Sequence, residues 1–317
     1  HSDIRRTGYF KCGHAKLNKL YENVIWGQKG NFLDIPTDCP QRNERLGWTA
    51  DTQVFAETGS FYANTLSFFK KWMRDMRDSQ NELGGFPGVA PYAQYGNEKM
   101  RLGWADAGII VPWTVWKQFG DVRIVNENWT AMEKFMEHVY ETYYDHGVLM
   151  RENFNYQWAD HLSFEALETH DKNNWLKNLK NKRTPCLEML EWWNYLGASY
   201  WAMDAQMMVD MARAAGKDIK KYQDMLVHAR DYIQMRFLQS DGSFVVPQMN
   251  DMQAPALYAL RNNILSGAAK ENMITRLREN FEAHGNRLQT GFLGTSILMT
   301  TLAENGMNDV AYELLLQ

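Results

Sequence analysis

The sequence predicts an all-α protein folded as a closed double ring of helices. Three observations predict it. Apolar residues recur at helical spacing through most of the 317 residues, and strand-like alternation is scarce. Short polar turns join about ten successive helices, which makes consecutive helices antiparallel neighbours. No fixed repeat of ~34–47 residues accompanies this rhythm, which sets aside a solenoid. A closed ring tolerates variable connections, and here they run from two residues to about forty.

Leu17, Leu20, Tyr21, Val24 and Ile25 form one stripe of a first helix. Thr49 to about Gln80 supplies one or two more, with a break expected near Gly59. Ala105 to Phe119 carries Ile109, Pro112, Trp113 and Trp116, and Pro112 should kink that helix or mark a late start. Gly120-Asp121 is a turn. Val122 to Tyr144 is amphipathic through Val125, Trp129, Met132, Phe135, Met136, Val139 and Tyr140. Val148 to Pro185 is long, polar and aromatic, and irregular segments of that length usually carry function. Met189 to Ala215 is Met-rich and stops at Gly216, with Met207, Met208 and Met211 read as core packing. Ile219 to Phe237 follows, then the turn Ser240-Asp-Gly-Ser. The last helices are expected at Ala254 to Ser266, Ala268 to His284, Thr290 to Asn305, and from Asn308 onward.

Composition narrows the function. The net charge is −4 without basic blocks, so nucleic acid is not an expected partner. No apolar run approaches the ~18 residues of a membrane span. His1-Ser-Asp-Ile-Arg-Arg is no signal peptide and reads as a cut inside a longer protein. Cys12, Cys39 and Cys186 form neither a zinc-type pair nor a disulfide framework, and they leave the compartment open. The histidines are scattered, and there is no phosphate-binding glycine loop and no nucleophile elbow. Neither metal nor cofactor is therefore expected. Several of the twelve tryptophans sit beside Asp or Gly in polar sequence. That placement suits a site where an indole face stacks on a sugar ring.

The segment Asp38-Cys-Pro-Gln-Arg-Asn-Glu-Arg-Leu-Gly-Trp-Thr-Ala-Asp51 concentrates three carboxylates, two arginines and a tryptophan in fourteen residues. Glycoside hydrolysis needs two carboxyl groups, one as proton donor and one to activate water or attack the sugar, and Asp38, Glu44 and Asp51 are candidates. Arg42 and Arg45 favour the charged form of Glu44, while burial and the nearby acids oppose it. On spacing alone, the same residues also suit helix caps and a buried ion network. Leu46-Gly-Trp48-Thr-Ala-Asp51 is echoed by Leu102-Gly-Trp104-Ala-Asp106, each copy before an apolar helix. Asp51 and Asp106 are expected to cap or enter those helices.

The block Asn31 to Asp51 is very similar to the signature of the bacterial α-L-rhamnosidases of glycoside hydrolase family 78. His1-Ser-Asp-Ile, Thr7-Gly-Tyr-Phe, Leu17-Asn-Lys-Leu-Tyr-Glu-Asn, Gly103-Trp-Ala-Asp-Ala, Phe119-Gly-Asp121 and Leu288-Gln-Thr-Gly-Phe-Leu-Gly-Thr295 extend the resemblance along the chain. It implies an (α/α)6 barrel, a six-hairpin toroid, that removes terminal α-L-rhamnose with inversion. Glu44 matches the family's general acid. Asp38, Arg42 and Asp51 match residues that hold rhamnose, and Trp48 and Trp104 match pocket walls. Asp106 joins them through the echo, and Trp158 is a further candidate wall. Asn43 stands where many relatives have Asp, which favours Glu44 as the acid.

In relatives the general base is a Glu in a segment after the helix that Asn308 to Gln317 resembles. This sequence shows no such segment. The resemblance therefore implies residues 1–12 as a linker from a preceding β domain, and 13–317 as a barrel lacking its last one or two helices and its base. Such a chain is expected to be inactive alone. The expected partner is a rhamnose-containing glycan or glycoside, with flanking β domains in the whole protein. Export to the periplasm or outside suits that role. The alternatives are a non-catalytic glycan-binding barrel, or an (α/α)6 glycosidase acting on another sugar.

Overall fold

The computed structural model describes residues 3–93, 101–143, 159–165 and 187–316. Among them there are eleven α-helices and one 3₁₀ turn, and strand pairing is limited to four isolated bridges. No helix of the described residues is long and apolar enough to cross a membrane. They form two compact units, His1–Asp145 with Asp204–Tyr222, and His146–Met203 with Gln223–Gln317.

The first unit contains α1 (Ala15–Asn31), α2 (Thr49–Tyr62), α3 (Leu66–Asp78), α4 (Ala107–Phe119) and α5 (Arg123–Tyr143). Helix α4 packs against α2, α3 and α5. Phe69, Trp72, Met73 and Met76 lie on one face of α3 and are wholly buried, as their spacing of three and four requires. On α5 the expected stripe Val125, Trp129, Met132, Phe135, Met136 and Val139 is buried, while Tyr140, its last member, is only half-buried. On α1, Tyr21 and Ile25 are buried but Leu20 is exposed, and Gln28 takes the inward place.

Gly59 does not break a helix. It lies inside α2, where its carbonyl accepts from Gln28 Nε2 at 3.1 Å and a Cβ would meet that same atom at 3.0 Å. The glycine serves close approach of α1, and the break falls instead at Ala63–Thr65. Pro112 sits inside α4, which begins at Ala107, so it marks no late start. Gly120, at φ +69°, ends that helix with its N–H on Trp116 O.

The helix α6 (Leu187–Ala215) runs from the second unit into the first and stops at Gly216, φ +65°. Met207, Met208 and Met211 are buried on it. The second unit continues through α7 (Lys220–Phe237), the 3₁₀ turn Pro247–Asp251, α8 (Gln253–Arg261), α9 (Gly267–Ala283), α10 (Phe292–Glu304) and α11 (Asn308–Leu316). Helix α8 packs on α9 and α10, and α10 on α11. It ends earlier than Ser266 because Asn263 turns left-handed at φ +52°, a conformation Asn tolerates. His284 closes α9, its Nδ1 2.8 Å from Asn280 O.

Of the irregular stretch Val148 to Pro185, the described part is residues 159–165. It is firmly tied. Asp160 takes the N–H groups of Gly291 (2.7 Å) and Gly294 (2.9 Å) at the start of α10. Glu165 takes those of Gln253 and Ala254 at the start of α8. Both acids are buried, and each satisfies helix N–H groups that would otherwise lack partners.

Candidate active site

The loop between α1 and α2 is built by its own residues. Asp38 N–H donates to Leu46 O (3.0 Å), and Leu46 N–H returns a bond to Asp38 Oδ1 (2.8 Å), closing the loop at its base. Arg45 adopts φ +53° to complete the turn. Gly47 then passes so near Ala90 O that a Cβ would sit 2.1 Å from it. Ala90 N–H bonds Gly47 O and Thr49 N–H bonds Gly88 O, which delivers Trp48 and the start of α2 at a fixed place.

Two side chains converge on Glu44 within that frame. Arg42 Nη1 lies 2.6 Å from Glu44 Oε2, and Trp48 Nε1–H donates to Glu44 Oε1 at 2.8 Å. Arg42 also reaches Asp38 Oδ2 at 3.5 Å. Asp38 is nearly buried at its side chain, whereas Arg42 is 62% exposed. Asp51, in the first turn of α2, stands close enough for the charges of Asp38 and Glu44 to act on it. Burial, and after it the Asp38 charge, push its pKa from 3.8 up to about 6. The site thus holds a guanidinium, a carboxylate gripped by an indole N–H, and a second carboxyl that gives up its proton only at about pH 6. Such a set can donate and accept protons and can hydrogen-bond a polyhydroxyl ligand.

The structure therefore brings together Asp38, Arg42, Glu44, Trp48 and Asp51. Trp104 is linked to them through α2, where Gln53 Nε2–H donates to Gly103 O. It is only 4% exposed. Asp106 corrects an expectation. It is the N-cap residue of α4, yet its side chain bonds no N–H of that helix. The carboxyl is wholly buried, accepts from Gly103 N–H and lies near enough to Asp204 for the two carboxyls to act on each other. This position leaves the carboxyl no exposed face. Trp158 lies outside the described residues. Sequence reasoning missed Asp204, because α6 carries four acids, Glu188, Glu191, Asp204 and Asp210, and no local signal singles it out.

Asp38, Cys39 and Glu44 place one ligand atom each within 4.8 Å of one another. Arg42 already supplies the counter-charge to both carboxylates, and Cys39 is a buried free thiol.

Comparison with known proteins adds to this geometry. The model of the bacterial alpha-L-rhamnosidase 6 hairpin glycosidase domain matches residues 5–317. The chain is 34% identical over 317 residues to an alpha-L-rhamnosidase of Formosa agariphila, covering 99% of this chain and 32% of that protein. It superposes on the Streptomyces avermitilis alpha-L-rhamnosidase complexed with L-rhamnose with a TM-score of 0.84. There the identity is 32%, and the match covers 100% of this chain and 28% of that one. Against the native enzyme of Aspergillus terreus the TM-score is also 0.84, with 27% identity, covering 100% of this chain and 35% of that one. The chain spans about a third of the length of the curated relatives it matches. The fold is accordingly the all-α (α/α)6 barrel of the six-hairpin glycosidases.

Proposed function

We infer function from one premise: the chain belongs to the bacterial α-L-rhamnosidase six-hairpin glycosidase domain family. We propose that residues 13–317 carry the barrel in which a terminal α-L-rhamnosidic bond is hydrolysed with inversion, and that residues 1–12 lead into it. The observation that carries the reading is the convergence of Arg42 and Trp48 on Glu44.

Glu44 protonates the glycosidic oxygen as the bond to the leaving group breaks. Its pairing with Arg42 does not prevent this, because an ion pair to a 62%-exposed guanidinium is screened and weakly held. Once the proton has gone, the Trp48 N–H is in place to stabilise the carboxylate. Asp38, Arg42 and Asp51 hold rhamnose hydroxyls. The Trp48 ring packs against the sugar, and Trp104 backs the wall. Water attack on the opposite face falls to a second carboxyl ~6.5–9.5 Å from the first, as inversion requires.

One observation favours a second reading. Asp51, held at about 6, carries a proton more readily than an ordinary aspartate and could itself be the donor. Leaving-group dependence separates the two. In the full natural chain, Glu44→Gln should lower turnover of an aryl α-L-rhamnoside by ~10²-fold or more with a poor leaving group. It should cost far less with a good leaving group, which needs no acid. The same signature at Asp51→Asn, with Glu44→Gln insensitive to the leaving group, would move the role to Asp51.

A further inference from the structure

The buried acids Asp106 and Asp204 have no place in that mechanism and are not accounted for by helix ends. Asp204 lies in the middle of α6, and Asp106 directs its carboxyl away from the helix it begins. Both are wholly buried, and each carboxyl stands near enough to act on the other. Among the described residues, no N–H or O–H reaches either oxygen of Asp204 or Oδ1 of Asp106. Ionised carboxylates are acceptors only, so a bond between two of them requires a proton. Without it, two like charges would stand together out of water, which costs far more than holding the proton.

The remaining oxygen has a definite task. Asp106 Oδ2 accepts the Gly103 N–H at 2.5 Å, while Gly103 O accepts Gln53 Nε2–H. The Gly103 backbone, at φ +87°, is thus held from both sides just before Trp104. We propose that Asp106 and Asp204 share a single proton and act together as a positioning pair that fixes the Gly103–Trp104 wall of the sugar site. One charge remains on the pair, and Asp106 Oδ2 grips Gly103 N–H. Burial raises both carboxyls above the ordinary Asp value, in keeping with a retained proton. The sugar-wall part of the proposal rests on the function proposed above.

The test uses the full natural chain. Asp204→Asn replaces the shared proton with an amide N–H of the same reach, whereas Asp204→Leu leaves Asp106 without a donor. In infrared spectra at pH 7, the wild type should show a carboxylic-acid carbonyl band that Asp204→Asn lacks. With an aryl α-L-rhamnoside, Asp204→Asn should keep KM within about threefold, and Asp204→Leu should raise it about tenfold or more with a smaller change in kcat. An unchanged band in Asp204→Asn overturns the shared proton. Equal impairment of the two variants, or no impairment in either, overturns the positioning role. If the leucine variant does not fold, Asp204→Asn decides alone: a tenfold rise in KM refutes the proposal, and lost band with kept KM supports it. A wild type that cleaves no rhamnoside refutes the functional reading, and the infrared comparison still decides whether the pair shares a proton.

Discussion

Replacing Asp51 by Asn should make the protein more stable at neutral pH while impairing it as an enzyme. Burial and the Asp38 charge raise Asp51 from 3.8 to about 6. The folded state then binds a proton more tightly than the unfolded chain does. Stability contributed by this group is greatest below about pH 4 and is lost as the pH rises through about 6. The rise in pKa corresponds to about 3 kcal/mol, an upper bound because solvent reaches part of the half-buried group. Against it stands the benefit of a carboxylate in the first turn of α2, worth ~0.3–1 kcal/mol and absent from Asn. The expected net gain is about 1–2 kcal/mol at pH 7.5, vanishing at pH 4. Guanidinium unfolding of wild type and Asp51→Asn at the two pH values measures it. Activity on an aryl α-L-rhamnoside should fall in the same variant, a trade between stability and function. A stability difference that is the same at both pH values, or a less stable variant at pH 7.5, would refute the reasoning.

Two further outcomes follow from individual contacts. Trp48→Phe keeps an aromatic face but removes the N–H that Glu44 accepts at 2.8 Å, so kcat should fall about tenfold with little change in KM. Trp48→Ala should raise KM as well. Asp160→Ala strips two N–H groups at the start of α10 of their acceptor and should cost about 2–4 kcal/mol in chemical denaturation. Gly291→Ala should be destabilising too, because its Cβ would lie 2.2 Å from Asp160 O.

The sequence revealed most where the determinants were local. The α5 stripe, the stops at Gly120 and Gly216 and the Ser240 turn all depend on a few neighbouring residues. The loop from Asp38 to Asp51 was legible for the same reason, since Glu44 meets Arg42 and Trp48 within four residues on either side. Gly59 was misread because a glycine that breaks a helix and one that admits a neighbouring helix look alike until the neighbour is in place. The end of α8 at Asn263 was invisible because Asn has two local habits, helical and left-handed. Asp106 was expected at a helix end, where it does sit, but its carboxyl accepts from Gly103 and lies near Asp204, far along the chain. Nothing local in α6 told Asp204 from a surface acid. Pairings across that distance are set by packing, which one sequence does not display.

The fastening of residues 160–165 ties two helix starts to one short segment. Two acids five positions apart each seize a helix start, one at α8 and one at α10. Displacing that segment would strip four N–H groups of their acceptors at once. The two helices would then lose their register together rather than one after the other.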